Sequence, residues 1–312
     1  MIVTVSLNPA LHVNYAAERI AWGSPNQVSR VRFRAGGRGL AVARVLHTFG
    51  HEVVAAGLAG GAAGEMIRTD LAAAGVATQF TRIAMESRRV LEVADASAGQ
   101  VTTFSEPAPY ITTEELGRLA ADYRSLMDGA TAVVLCGSLP AGLPPEIYGT
   151  FATYAADAKV PAILDAGGMA LMHGLSRRPA LVIPEIAAGP ALDPAAAVAA
   201  GPAVDPAAAV AAGAGAVVLL SGREVRVVTP GGQWRARLPG AVSLGASRDA
   251  LVAGFVPGVA LGWSWPDTLM HAVAIAAAGG PDGEVDLRRY EDLLTEVRVD
   301  QPPAHPARGL LR

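Results

Sequence analysis

The chain has 312 residues, which is enough to bury a large core, either in one large α/β domain or in two smaller ones. Its net charge of -3 leaves no basic footprint for nucleic acid, and its single cysteine, Cys136, excludes a disulfide framework and a cysteine metal cluster. The longest run of small apolar residues, Ala207 to Leu220, is shorter than the roughly 18–20 residues that span a bilayer. With no signal-peptide pattern, these features predict a cytoplasmic protein that binds neither nucleic acid nor membrane.

The first part of the chain alternates strand and helix patterns. Ile2–Leu7 is a β-rich run that stops at Asn8-Pro9. A helix is predicted after the glycines of residues 35–39, with Gly50 suited to its C-terminal cap, because apolar residues recur there at helical spacing: Val42, Val45, Leu46 and Phe49. The segment His51–Gly61 predicts the next strand and its turn.

Later segments repeat this design. Thr112 and Glu115 form a capping-box pattern ahead of a helix that we predict to end near Met127. Short buried strands, each followed by a polar loop, are predicted in TAVVLC (131–136), PAILDAGG (161–168), ALVIPE (180–185) and GAVVLLSG (215–222). Strands that alternate with helices predict an α/β fold with a mainly parallel central sheet and helices on both faces. Ligands bind such sheets at the carboxyl ends of the strands.

Two stretches break the alternation. Residues of about 13–34 and 89–105 look like β segments without intervening helices, and we expect them to form a small lid sheet on a single α/β domain over residues 1–300. We expect residues 301–312 to be a disordered tail. A local duplication at 189–200 and 201–212 predicts two short helices, each with an Asp cap and Pro at its first position.

Five motifs, in this order and spacing, carry a family resemblance: TVSLNPALH (4–12), AGGRGLAVARVL (35–46), CGSLPAGLPPEIY (136–148), ILDAGGMAL (163–171) and DALVAGFVPGVALG (249–262). From residue 1 to about 280 the chain resembles the PfkB sugar-kinase family of the ribokinase superfamily, nearest its 1-phosphofructokinase and tagatose-6-phosphate kinase branch. The resemblance implies a ribokinase-like α/β fold with a β-sheet lid, and a homodimer formed through that lid.

The resemblance also implies transfer of the γ-phosphoryl group of ATP to a sugar hydroxyl, with ATP and Mg²⁺ required. Asp249 falls at the catalytic base of this family, although on its own it would be interpreted as a helix cap. The family's G-A-G turn just before the base is Ala246-Ser247-Arg248 here. Three Cβ atoms restrict the approach of backbone amides to an anion, so we expect a weakened turn in which Arg248 supplies charge.

On the substrate side, the residues that match the family's sugar and phosphate motifs are His12, Gly36, Gly37, Arg38, Arg88 and Ser138. His12 replaces an Asp that binds sugar hydroxyls with two oxygens, and a neutral imidazole offers one acceptor. Ala41 replaces a sugar-binding Asn, and Gln27 replaces an Arg that is common in this branch. Arg38 and Arg88 can hold a phosphate or carboxylate bidentately, so we expect a small anionic sugar-like ligand. Without the resemblance, solvated surface arginines are the favoured interpretation.

The nucleotide side departs furthest from the family. Where the family has K-P-N-x-x-E, this chain has Ile183, Pro184, Glu185 and, last, Ala188. Glu185 can still hold Mg²⁺ through water. Gly222 is the residue kept from the S-L-G-x-x-G turn that passes the nucleotide, and Ala246 and Ser247 complete the predicted nucleotide-binding residues.

Two functions remain open from the sequence. The first is a diverged ATP-dependent carbohydrate kinase with Asp249 as base and low or no ordinary 1-phosphofructokinase activity. The second is a catalytically inactive kinase homologue that binds an anionic sugar-like ligand, because a fold can be inherited without its chemistry.

Overall fold

The computed structural model describes residues 1–185, 204–221, 223–237, 248–280 and 283–302. The chain divides into two compact units, one made of residues 1–129 and 136–144 and the other of residues 130–135 and 145–312. Within the described ranges, no helix is both long and apolar enough to cross a membrane. The predicted single domain over residues 1–300 stays a prediction.

The first unit contains seven strands and three helices among its described residues. The strands are β1 Ile2–Ser6, β2 Ala10–Ala17, β3 Arg30–Gly36, β4 Val53–Ala59, β5 Ala77–Arg82, β6 Arg89–Asp95 and β7 Gln100–Ser105, and the helices are α1 Arg38–Thr48, α2 Gly61–Ala73 and α3 Thr113–Met127. Strands β1, β4 and β5 lie side by side in parallel. All five residues of β1 are buried, as expected of a parallel strand covered on both faces.

The remaining strands of this unit form a separate small sheet in the order β3-β2-β6-β7. Residues that are paired in register share a face. One face is apolar and carries Val13, Tyr15, Val31, Phe33, Leu91, Val93 and Phe104; the other carries His12, Asn14, Arg32, Arg34 and Glu92. Phe33 and Phe104 are 47% and 50% exposed, so the apolar face is open to solvent in the single chain.

The second unit contains the strands β8 Ala132–Cys136, β9 Ala162–Asp165, β10 Leu181–Val182, β11 Val217–Ser221, β12 Glu224–Thr229, β13 Gly232–Arg237 and β14 Arg298–Asp300, with Cys136 itself in the first unit. These seven strands are neighbours in the sheet in the same order as in the chain. Pairing is parallel from β9 to β11 and antiparallel from β11 to β14. The sequence patterns predicted β8 to β11 but not the antiparallel extension that follows.

The helices of the second unit are α4 Ile147–Asp157, α5 Gly168–Leu175, α6 Pro206–Ala211, α7 Arg248–Leu261, α8 Trp265–Ala278 and α9 Leu287–Glu296. Helix α7 is buried along most of its length and packs closely on α8. A Cβ at Gly254 would lie 2.5 Å from Cα of Ala272, so this glycine is what permits the close approach.

Two local predictions are confirmed by cap geometry. Thr112 accepts a hydrogen bond from the backbone N–H of Glu115, whose carboxylate accepts one in return from the backbone N–H of Thr112. Asp205 caps α6, with Pro206 at the helix start. The first copy of the duplication and residues 303–312 lie outside the described residues.

Candidate active site

Three polar side chains of the first unit are linked in the loops that follow strands β1, β5 and β8. Nδ2 of Asn8, just after β1, donates to Oγ of Ser138 at 3.2 Å, and Nε of Arg88 donates to Oδ1 of Asn8 at 3.2 Å. Among the described residues, the terminal nitrogens of Arg88 make no hydrogen bond. Burial lowers the pKa of Arg88, but the guanidinium remains charged. The group therefore presents a half-buried cation held in place by an amide.

His12 lies on β2, on the polar face of the small sheet. Its Nδ1 is 3.7 Å from Oε2 of Glu92. Burial lowers the pKa of His12; the carboxylate of Glu92 opposes this shift, and the charge of Arg88 adds to it. Because the pKa is lowered, His12 is neutral at physiological pH and offers one acceptor and one donor.

Gly36 and Gly37, in the second of the five motifs, leave space for the side chains of His12 and Ser6. A Cβ at Gly36 would lie 2.0 Å from Cδ2 of His12, so the imidazole occupies the space above Gly36. Gly37 has a φ of 130°, and a Cβ there would lie 2.8 Å from Oγ of Ser6. Arg38 is the first residue of α1, where the helix dipole also favours an anion.

The two predicted catalytic residues lie at the start of α7 in the second unit. Arg248 is the first residue of α7, and Asp249 lies in its first turn. Nη2 of Arg248 is 2.6 Å from Oδ1 of Asp165, 3.1 Å from the carbonyl oxygen of Ile183 and 3.0 Å from that of Pro184. Asp165 is completely buried at the carboxyl end of β9. Arg248 thus binds protein oxygens at the carboxyl ends of two strands.

Glu185 follows β10, and its backbone N–H donates to the carbonyl oxygen of Ala166 at 2.9 Å. Glu185 is a half-buried residue, and a carboxylate at a strand end suits Mg²⁺, which typically takes one or two carboxylates together with water and phosphate oxygens. In the described ranges, no three His, Cys, Asp or Glu side chains form a metal cluster. The predicted nucleotide-binding residues Gly222, Ala246 and Ser247 lie outside the described residues.

The sequence placed His12, Gly36, Gly37, Arg38, Arg88 and Ser138 in one group, and all of them lie in the first unit; Glu185, Arg248 and Asp249 lie in the second. Sequence reasoning did not select three residues that contact them. Asn8 and Asp165 stand inside the motifs but look like a turn residue and a strand end. Glu92 is recognisable only once the β2–β6 register pairs it with Asn14.

Comparison with known proteins defines the class. A family model described as pfkB family carbohydrate kinase matches residues 6–279. The chain belongs to this family. It is 31% identical over 188 residues to the tagatose-6-phosphate kinase of Staphylococcus epidermidis, a match that covers 60% of this chain and 60% of that protein.

Solved structures show the same fold over nearly the whole chain. A possible 1-phosphofructokinase of Thermotoga maritima matches with a TM-score of 0.78 at 20% identity, covering 97% of this chain and 99% of that one. The tetrameric inhibited form of phosphofructokinase-2 from Escherichia coli matches with a TM-score of 0.80 at 22% identity, covering 95% and 98%. The predicted α/β ribokinase-like fold, with a large, mostly parallel sheet and a separate small sheet, is confirmed.

Proposed function

We propose that this protein is an ATP-dependent kinase that phosphorylates a hydroxyl of a sugar phosphate or a similar anionic polyol. Family membership supports the phosphoryl transfer, and the similarity to a tagatose-6-phosphate kinase supports a substrate that already carries a phosphate. The observation that carries the substrate class is the half-buried Arg88, held by Asn8 near His12. Partial burial of a guanidinium costs solvation free energy, and a bound anion offsets that cost.

In this proposal each protein group has one role. Asp249 accepts the proton of the attacking hydroxyl, whose oxygen forms the new bond to the γ-phosphorus of ATP while ADP leaves. The terminal nitrogens of Arg88 hold the anionic group of the substrate, and Arg38 adds positive charge. Neutral His12 takes one hydrogen bond from a substrate hydroxyl. Gly36 and Gly37 leave room for this arrangement, and Ser138 orients Asn8.

Glu185 is the residue that we propose to hold Mg²⁺, through water, and Gly222, Ala246 and Ser247 are proposed nucleotide contacts. When bound, Mg²⁺ neutralises charge on the phosphoryl group. The substituted turn before Asp249 supports a low rate on ordinary 1-phosphofructokinase substrates, because loss of one well-placed backbone donor costs about 10²–10³ in rate.

A second candidate function is a catalytically inactive homologue that binds the same anionic ligand. The observation that favours it is the position of Arg248, whose Nη2 binds Asp165 and two backbone carbonyls. Those hydrogen bonds are made to the protein and are not directed at a phosphate.

We also propose a homodimer formed through the apolar face of the small sheet. The exposed Val31, Phe33 and Phe104 support it, since an apolar sheet face of this kind needs cover. The expected cytoplasmic location stays a prediction.

Calorimetric titration of ATP with and without Mg²⁺ tests the kinase proposal against the binding protein. We expect weak ATP binding that strengthens with Mg²⁺, and a smaller Mg²⁺ effect in Glu185→Gln. Glu146→Gln is the matched control, because Glu146 lies in the same unit and pairs with His173. Absence of ATP binding in both conditions, with sugar phosphate still bound, would favour the inactive homologue.

A further inference from the structure

The buried carboxylate of Asp165 needs a positive partner. Asp165 is completely buried at the end of β9, and an ionised carboxylate in that position is very unfavourable without compensation. Strand β10, which pairs with β9, does not provide a cation. In the parallel register, Leu181 pairs with Ile163 and Val182 with Leu164, and the ladder continues with the N–H of Ile183 on the carbonyl of Leu164. The next pair is therefore Ile183 beside Asp165, on the same face.

Two positions in the second unit bear on Asp165: position 183, which lies beside it after the end of β10, and position 248, at the start of α7. In this chain the first position is apolar and the second is Arg248, whose Nη2 is 2.6 Å from Oδ1 of Asp165. The positive charge next to Asp165 is thus supplied from the start of α7 instead of from β10. Arg248 therefore compensates the charge of this buried carboxylate from a different element of the same unit.

The position of this cation on α7 affects how the start of the helix is held. A lysine on β10 would neutralise Asp165 within the sheet, whereas Arg248 connects Asp165 and the carbonyls of Ile183 and Pro184 to the first residue of α7. Asp249 is the next residue, so its backbone is tied to the ends of two strands. A glycine turn has no side chain with which to make this connection.

We propose that Arg248 is a positioning residue, which fixes the N-terminus of α7 and thereby the carboxylate of Asp249 through its contacts with β9 and the end of β10. The proposal rests on the proposed function in so far as Asp249 is the base. In this chain the ion pair replaces the backbone geometry that a glycine turn would provide.

The first test compares Arg248→Ala with Arg235→Met. Arg235 is a matched control, because it also makes a two-point ion pair, with Asp300, in the same unit. We expect Arg248→Ala to lower the melting temperature by roughly 5–15 °C, as removal of one partner of a buried pair does. We also expect faster hydrogen exchange of the amides of residues 251–254, the first that are hydrogen-bonded within α7, and a kcat lower by about 10²-fold at unchanged KM for the sugar phosphate. Arg235→Met should alter neither the exchange of α7 nor kcat.

The second test separates positioning from charge neutralisation. In Ile183→Lys/Arg248→Ala, the lysine can neutralise Asp165 but cannot tie down α7. We expect a cooperative melt at a higher temperature than Arg248→Ala alone, with exchange at residues 251–254 still fast and kcat still low. Recovery of slow exchange and of kcat in this double variant would overturn the positioning role, as would equal effects of Arg248→Ala and Arg235→Met on α7 exchange. If the wild-type protein has no kinase activity, the proposed function fails, and the exchange measurement still decides the role of Arg248.

Discussion

Nε of Arg88 donates to Oδ1 of Asn8 at 3.2 Å, which fixes the plane of a half-buried guanidinium next to β2. Asn8 in turn donates to Ser138, so the orientation of Arg88 depends on a loop that follows β8. An arginine held in this way is prepared to bind a planar or tetrahedral anion with its remaining donors.

The first prediction concerns this arginine. Arg88→Ala should weaken binding of tagatose 6-phosphate by about tenfold to a hundredfold, because a charge-assisted contact to an anion is worth roughly 1.5–3 kcal/mol. Calorimetry measures the change. Arg89→Ala is the control, since Arg89 is exposed and paired with Glu106. Equal binding of tagatose and its phosphate, unaffected by Arg88→Ala, would contradict the anionic substrate class.

The second prediction concerns the pH dependence of stability. Burial lowers the pKa of His12 in the folded protein, so between that pKa and about 6.5 the unfolded chain binds more protons than the folded one. The free energy of unfolding should therefore fall as the pH drops below about 6.5. Urea unfolding at pH 7.5 and 5 should show a smaller loss in His12→Gln than in the wild type. Burial also lowers the pKa of His51, so His51→Gln should remove a separate part of the stability loss between pH 7.5 and 5. Identical losses in the wild type and His12→Gln would contradict this account of His12.

The third prediction concerns the contact between His12 and Gly36. Gly36→Ala should displace the imidazole, because the added Cβ would lie 2.0 Å from Cδ2 of His12. We expect weaker sugar-phosphate binding and lower stability, with the stability loss relieved in Gly36→Ala/His12→Ala. Gly117→Ala is the control: nothing lies within 4 Å of its Cβ position in α3, so it should stabilise by about 0.5–1 kcal/mol. An equal stability loss in the single and double variants would show that His12 is not the obstacle.

Most of the site residues of the first unit could be predicted from the sequence, because they lie within short motifs. His12, Gly36 and Arg88 lie in or beside strands of one small sheet, and the alternation of side chains along these strands decides which face each one joins. The contact between Arg248 and Asp165 could not be predicted. It joins residues 83 positions apart through a strand register that no local pattern encodes. From sequence alone, Arg248 looked like a charge directed at phosphate.

The antiparallel strands β12 to β14 were missed for a related reason. The pattern of GAVVLLSG indicates a buried strand. It does not indicate which strand pairs with the edge of β11 that faces away from β10. The hairpin register places Val225 and Val227 opposite Ala236 and Trp234, and the charged partners Arg226 and Arg235 alternate with them. That alternation is visible in the sequence, although its attachment to β11 is a tertiary contact.

The fourth prediction concerns assembly. Phe33→Glu/Phe104→Glu should convert the proposed dimer into a monomer, because both rings lie on the apolar face of the small sheet. Light scattering at micromolar concentration measures the mass. Val101→Glu is the control, since Val101 is exposed on the opposite face of β7. A wild-type mass equal to one chain would contradict the dimer.

The most direct test of the proposed function is ADP release in a coupled assay with fructose 1-phosphate and tagatose 6-phosphate, comparing the wild type with Asp249→Asn. The tagatose-6-phosphate kinase of Staphylococcus epidermidis serves as the reference. We predict slow release, about 10²–10³-fold below the reference because of the substituted turn, and its abolition in Asp249→Asn. Release that is the same in wild type and Asp249→Asn, including none in either, would contradict phosphoryl transfer through Asp249.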